Sequence, residues 1–166
     1  LKTDQGNFQA DSCIVACGGL AFPKSGSDGS FYPHLLKLGH SMVPQVPALV
    51  QMQAKQSFFK PAAGIRSDAT IRLYVDGREV CSDRGEVQLT EFGVSGIPAF
   101  QVSRYAARAL DEGRAVMAEL DFMPSMTEPV FSEELKKRFY RPGSDRSAEE
   151  ALTGLFAKKL IPLFLK

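Results

Sequence analysis

The chain has 166 residues, with 20 Lys or Arg against 19 Asp or Glu, and its net charge of +1 fits neither a polycationic nucleic-acid binder nor an acidic tail. Its 44% hydrophobic and 23% charged residues, with 12 Phe to fill a core that has no Trp, form an ordinary globular composition and exclude disorder and collagen-like repeats. Apolar runs such as Cys13 to Cys17 fall far short of the ~20 residues that cross a bilayer, so no membrane anchor is expected. The opening Lys2-Thr3-Asp4-Gln5-Gly6-Asn7 has neither an initiator Met nor the basic and apolar regions of a signal peptide. A piece of a longer protein is therefore expected, with room for one compact domain or two small lobes.

The first forty-odd residues read as strand, glycine-rich loop and helix. Ser12 to Cys17 is a short apolar run ended by Gly18-Gly19, the pattern of a strand buried on both faces. After a loop through Ser30, the apolar positions Phe31, Leu35, Leu36 and Leu38 predict a helix, and Gly39 stands where a helix needs a left-handed residue to stop. Pro44 and Pro47 interrupt the chain and place a boundary near residue 46. The three cysteines are an odd set. On one side of a straight strand, Cys13 and Cys17 would have Cα atoms ~13 Å apart and could not pair. This favours a reduced, cytoplasmic setting with all three thiols buried.

From residue 47 the apolar residues recur at every second position. Ile71, Leu73 and Val75 share one face of a strand, Asp76-Gly77 suits a type I′ turn, and Arg78 to Cys81 returns as its partner. Glu86 to Thr90, Val116 to Phe122 and Ala48 to Met52 are further strand candidates, so a small sheet or barrel is expected. One helix lies inside this stretch, with Ser95 as its cap, Pro98 in its first turn, a stripe of Ala99, Val102, Ala106, Ala109 and Leu110, and Gly113 as its stop. Beyond residue 128 the pattern is helical. Phe131, Leu135 and Phe139 are spaced by fours, Pro142-Gly143 breaks the chain, and Ser147 to Glu150 forms a capping box before Leu152, Leu155 and Phe156. Helices this short need a β lobe, or chain outside these residues, to dock on. The reading is an α+β chain in three parts: residues 1–46, a β lobe over 47–128 and helices over 129–166.

Chemical motifs are sparse. Gly18-Gly19 followed by Lys24-Ser25 resembles a phosphate-binding P-loop, but Pro23 occupies its second glycine position and lacks the N–H that cradles a phosphate. Without side chains, Gly18-Gly19 offers a strand end where a planar or phosphorylated ligand can touch backbone, although taken alone the pair reads better as a plain tight turn. Gly26 to Ser30 has the same two readings, ligand loop or helix cap by Asp28 or Ser30. His34 and His40 have no Cys or acidic partners at ligand spacing, which argues against a metal, and His40 reads as part of a helix end. No carboxylate spacing marks an acid and base pair, so no catalytic residue is named. Lys136-Lys137-Arg138 with Arg141 reads as a solvated face.

These residues resemble bacterial NAD(P)/FAD-dependent oxidoreductases of the aminoacetone-oxidase-like type. Ala16-Cys17-Gly18-Gly19 is similar to that family's A-T-G-G, and Pro23 to Gly29 to its P-K-T-G-S-x-G loop. Leu38-Gly39-His40 and Pro47-Ala48-Leu49-Val50 resemble its G-H and P-A-L-V elements, and Gly85 through Arg104 resembles a G-E-x-x-x-T-x-x-G-x-S-G stretch. The resemblance implies an FAD-binding domain interrupted by an insertion of a flattened β-barrel and a small helical array, with residues 1–46 a remnant of the α/β FAD domain. It also implies that Ala16, Cys17, Gly18, Gly19, Ser25 and Gly26 lie beside FAD, with Cys17 in place of the family's Thr and Phe31 where many members have Gly.

The glycine fingerprint for the ADP half of FAD and the segment facing the flavin are absent from these residues. The resemblance therefore implies a central fragment that is inactive alone, holds no FAD in isolation and partners the rest of its FAD domain. In the parent, hydride would pass between FAD, NAD(P)H and a small substrate, with the insertion covering the flavin. The alternative is a non-enzymatic module docking protein or RNA, although the charge balance predicts no nucleic-acid partner.

Overall fold

The computed structural model describes residues 1–140 and 145–165; the expected Pro142-Gly143 break and Arg141 lie outside them. These residues fall into two compact units, Leu1–Gln45 and Val46–Lys166.

In the first unit, β1 (Lys2–Thr3) and β2 (Gly6–Asn7) form a short antiparallel hairpin, Pro23–Ser25 is one 3₁₀ turn, and α1 spans Tyr32–Lys37. The helix stops as its sequence requires. Gly39 is left-handed at φ 92°, its N–H donates to Leu36 O at 3.0 Å and the His40 N–H to Leu35 O at 3.2 Å, the paired bonds of a Schellman end. One expectation fails. Ser12 to Cys17 is not a strand, and Ile14 is 91% exposed. A strand buried on both faces needs a ladder on each side, and among the described residues no strand pairs with this run. Cys13 and Cys17 are consequently exposed rather than buried, and only Cys81 is partly covered.

The second unit is built on a five-stranded antiparallel sheet curled into a half-barrel, with order β3-β6-β5-β4-β7. Its strands are β3 (Met52–Gln53), β4 (Arg66–Val75), β5 (Arg78–Leu89), β6 (Gly93–Gly96) and β7 (Val116–Asp121). The β4–β5 hairpin turns on Asp76-Gly77, with φ of 50° and 78°, the type I′ geometry that matches strand twist. Alternation sorts the faces: Ala69, Ile71, Leu73 and Val75 are buried, while Arg66, Asp68, Arg72 and Tyr74 point the other way. The outer face is tied by ion pairs, Arg72 to Glu119 at 2.7 Å and Asp121 at 3.3 Å, and Arg84 to Asp68 at 2.7 Å.

α3 (Ile97–Asp111) packs on the inner face through Ala99, Val102, Ala106 and Ala109. Leu110, expected in that stripe, is 61% exposed. Ser95 does not cap the helix. It belongs to β6, paired with Gln88, and the capping position falls to Gly96. Small residues on α3 let the helix approach the sheet closely: a Cβ on Gly85 of β5 would sit 3.2 Å from Pro98 Cγ. Four further helices of the second unit lie among the described residues, one before α3 and three after it. α2 (Phe59–Ala62) buries Phe59 and Ala62, and α4 (Glu128–Phe139) leads to α5 (Ala148–Leu152) and α6 (Ile161–Phe164). The capping box forms as expected, with the Ser147 N–H donating to Glu150 Oε2 at 2.8 Å and the Glu150 N–H to Ser147 Oγ at 3.2 Å. Leu160 joins the sheet core and Phe156 and Leu163 pack against it, so α6 and the chain leading into it dock on the β lobe.

Candidate functional site

The six residues expected beside a cofactor all lie in the first unit. Ala16, Cys17 and Gly18 are exposed, Gly19 is partly covered, and the chain there forms no regular secondary structure. This backbone is not isolated, because the loop from Ser27 to Tyr32 folds against it. The Gly29 N–H donates to Gly19 O at 3.0 Å, and the Tyr32 N–H to Gly29 O at 3.0 Å. Gly18 is left-handed at φ 77°, and a Cβ there would collide with the Ser27 side chain. A Cβ on Gly19 would stand 2.6 Å from the Tyr32 hydroxyl. Gly18 is thus favoured by its backbone conformation as well as by close approach, and Gly19 by the nearness of the Tyr32 hydroxyl alone.

Ser25 and Gly26 are brought into the same loop, but their donors are used locally. The Ser25 N–H and hydroxyl both donate to Phe22 O, at 2.9 and 2.8 Å, and the Gly26 N–H donates to Pro23 O at 3.0 Å. They shape a 3₁₀ turn that Gly26 closes at φ 91°. Asp28 serves the loop too. Its Oδ1 accepts the Ser30 N–H at 2.9 Å, and hydrogen bonds from Ser30, side chain first and backbone second, hold its carboxyl below the ordinary range. The arrangement is a backbone platform, Ala16 to Gly19, braced from behind. It carries no acid or base and, among the described residues, no group of three or more His, Cys, Asp or Glu stands close enough to hold a metal ion.

The second unit has a feature that sequence reading missed. Ser103 on α3 is 2% exposed; its hydroxyl donates to Phe100 O at 2.7 Å and accepts the Val50 N–H at 3.2 Å. Of Ala48 to Met52, expected as a strand, Val50 is instead pinned to α3, and only Met52–Gln53 pairs with β6. Leu49 is left-handed at φ 56°. A leucine carries no sequence signal for that conformation, so this turn was not foreseeable.

The basic run on α4 is only partly a solvated face. Arg138 Nε donates to Glu134 at 2.7 Å, and Arg138 Nη1 to the carbonyls of Ala151 and Thr153 at 3.3 and 3.2 Å. Its charge closes the end of α5. Lys137 approaches Glu133 at 3.8 Å.

Residues 46–166 match the family model described as HI0933-like protein barrel and H2TH domain. The whole chain is 41% identical, over 170 aligned residues, to a protein of Clostridium scindens named 3-dehydro-bile acid delta(4,6)-reductase. The chain spans 40% of that reductase's length.

Proposed function

The chain belongs to the HI0933-like family, a flavoprotein oxidoreductase family, and from that premise we propose that it is the central part of an FAD-dependent reductase. The observation that carries the proposal is the 41% identity to a named reductase across the whole of this chain. In this reading residues 1–46 belong to the FAD-binding domain, and residues 47–166 form the insertion, with a barrel part to residue 128 and helices beyond. Bound FAD supplies hydride chemistry, with NAD(P)H as the electron source. The backbone of Ala16, Cys17, Gly18 and Gly19 lies against the cofactor, while Ser25 and Gly26 keep the supporting loop closed behind it. Cys17 contributes backbone only, having no hydroxyl. An aminoacetone-oxidase-like activity is a subordinate possibility within the same class. The named relative points instead to a conjugated, largely apolar 3-oxo steroid as substrate class.

The rival reading is a module that docks RNA or protein, and within the basic run Arg138 is engaged with Glu134 and the end of α5. The test is anaerobic spectroscopy of the full-length protein containing this chain. Its flavin is expected to bleach with NADH or NADPH and regain colour when a 3-oxo-4,6-diene bile acid is added. A flavin that reoxidises only with oxygen refutes the steroid assignment, and a protein without flavin refutes the whole reading.

A further inference from the structure

Two features meet on residues 46–51 of the second unit. Leu49 occupies a backbone region that costs a branched-chain residue free energy, and the next residue's N–H is held by the buried Ser103 hydroxyl. The net gain from one such hydrogen bond is of the same size as the strain it holds in place. Apolar burial adds a smaller contribution: Val46 is partly covered and Val50 is 39% exposed, while Pro47, Ala48, Leu49 and Gln51 are exposed. On its C-terminal side, Met52 is fixed by pairing with Val94, and Ala54 by its N–H to Phe92 O at 2.8 Å. On its N-terminal side lies the division between the two units, after Gln45.

We propose that residues 46–51 are a strap poised between two positions, closed when Ser103 holds the Val50 N–H with Leu49 left-handed, and open when that bond breaks and Leu49 relaxes. Ser103 loses little on opening, because its hydroxyl still donates to Phe100 O. The Val50 N–H freed by opening can be satisfied by water. A ligand or partner that touches Leu49 in its held position favours closure by its differential affinity for that state. The inference stands apart from the redox reading.

The test is amide hydrogen exchange on the full-length protein that contains this chain, followed at Val50 with Leu73 in β4 as the reference for global opening. Ser103→Ala is expected to speed Val50 exchange roughly tenfold, about the worth of one net hydrogen bond, with Leu73 unchanged. Leu49→Asn, which tolerates the left-handed region, slows it, and Leu49→Val, which resists that region, speeds it. The proposal is overturned if Ser103→Ala leaves Val50 unchanged, if the two Leu49 variants move it in the same direction, or if Val50 and Leu73 shift together.

Discussion

Gly19→Ala isolates one contact in the glycine turn. A Cβ built there meets only Tyr32 within 4 Å: its hydroxyl at 2.6 Å and its Cζ at 3.8 Å. The first distance is impossible and the second is ordinary contact, so the whole penalty rests on one oxygen atom. Gly19 does not sit in the left-handed region, and no backbone strain adds to it. Overpacking of this kind costs about 1–3 kcal/mol, and Tyr32→Phe removes the offending atom while keeping the ring. The double variant should therefore recover most of what Gly19→Ala loses, a coupling of about 1–3 kcal/mol. The Gly29 amide, bonded to Gly19 O at 3.0 Å, is a local reporter. Its exchange should accelerate about fivefold to a hundredfold in Gly19→Ala and return near the wild-type rate in the double variant. Gly18→Ala has no such rescue, because φ 77° persists whatever surrounds it. Additive effects of Gly19→Ala and Tyr32→Phe would refute the packing that braces the platform.

Gly96→Ala should destabilise the second unit by at least about 3 kcal/mol, because its Cβ would collide with Glu86 O and stand 3.3 Å from Val87 Cα at φ 100°; thermal unfolding checks this. The Asp76 carboxyl is held below its ordinary range by Arg114 first and by the Ala115 N–H second. A lowered carboxyl contributes stability that is full above the ordinary carboxylate range and lost as pH falls through its folded value. Asp76→Asn, which still tolerates φ 50°, should flatten the acid side of the stability–pH curve, and chemical denaturation between pH 2 and 7 would show it. Arg138→Ala removes one carboxylate bond and two carbonyl bonds at a partly exposed site. A loss of about 1–2 kcal/mol in denaturant titration is expected.

What could be read in the residues was what local chemistry decides. The Asp76-Gly77 turn, the Gly39 and Gly113 helix stops and the Ser147 capping box each need only a few neighbouring residues, and each formed. The face of β4 followed from strict alternation at Ile71, Leu73 and Val75. Misreadings came where distant partners decide. Ser12 to Cys17 has the composition of a buried strand, but composition brings no neighbouring strands with it. Gly93 to Gly96 became a strand through pairing with β3 and β5, against its glycine content. Ser103 carried no signal of its role, because its partner, Val50, lies 53 residues away. At the glycine platform, the sequence located the backbone turn, while the bracing by Ser27 and Tyr32 depends on how the loop folds back.

The most direct measurement of the central proposal is the absorbance spectrum and extracted cofactor of the full-length protein that contains these residues, purified without added flavin. One FAD per chain, reducible by NADH or NADPH, is the predicted result. Full-length protein that is folded and colourless, and that stays so after incubation with excess FAD, would contradict it.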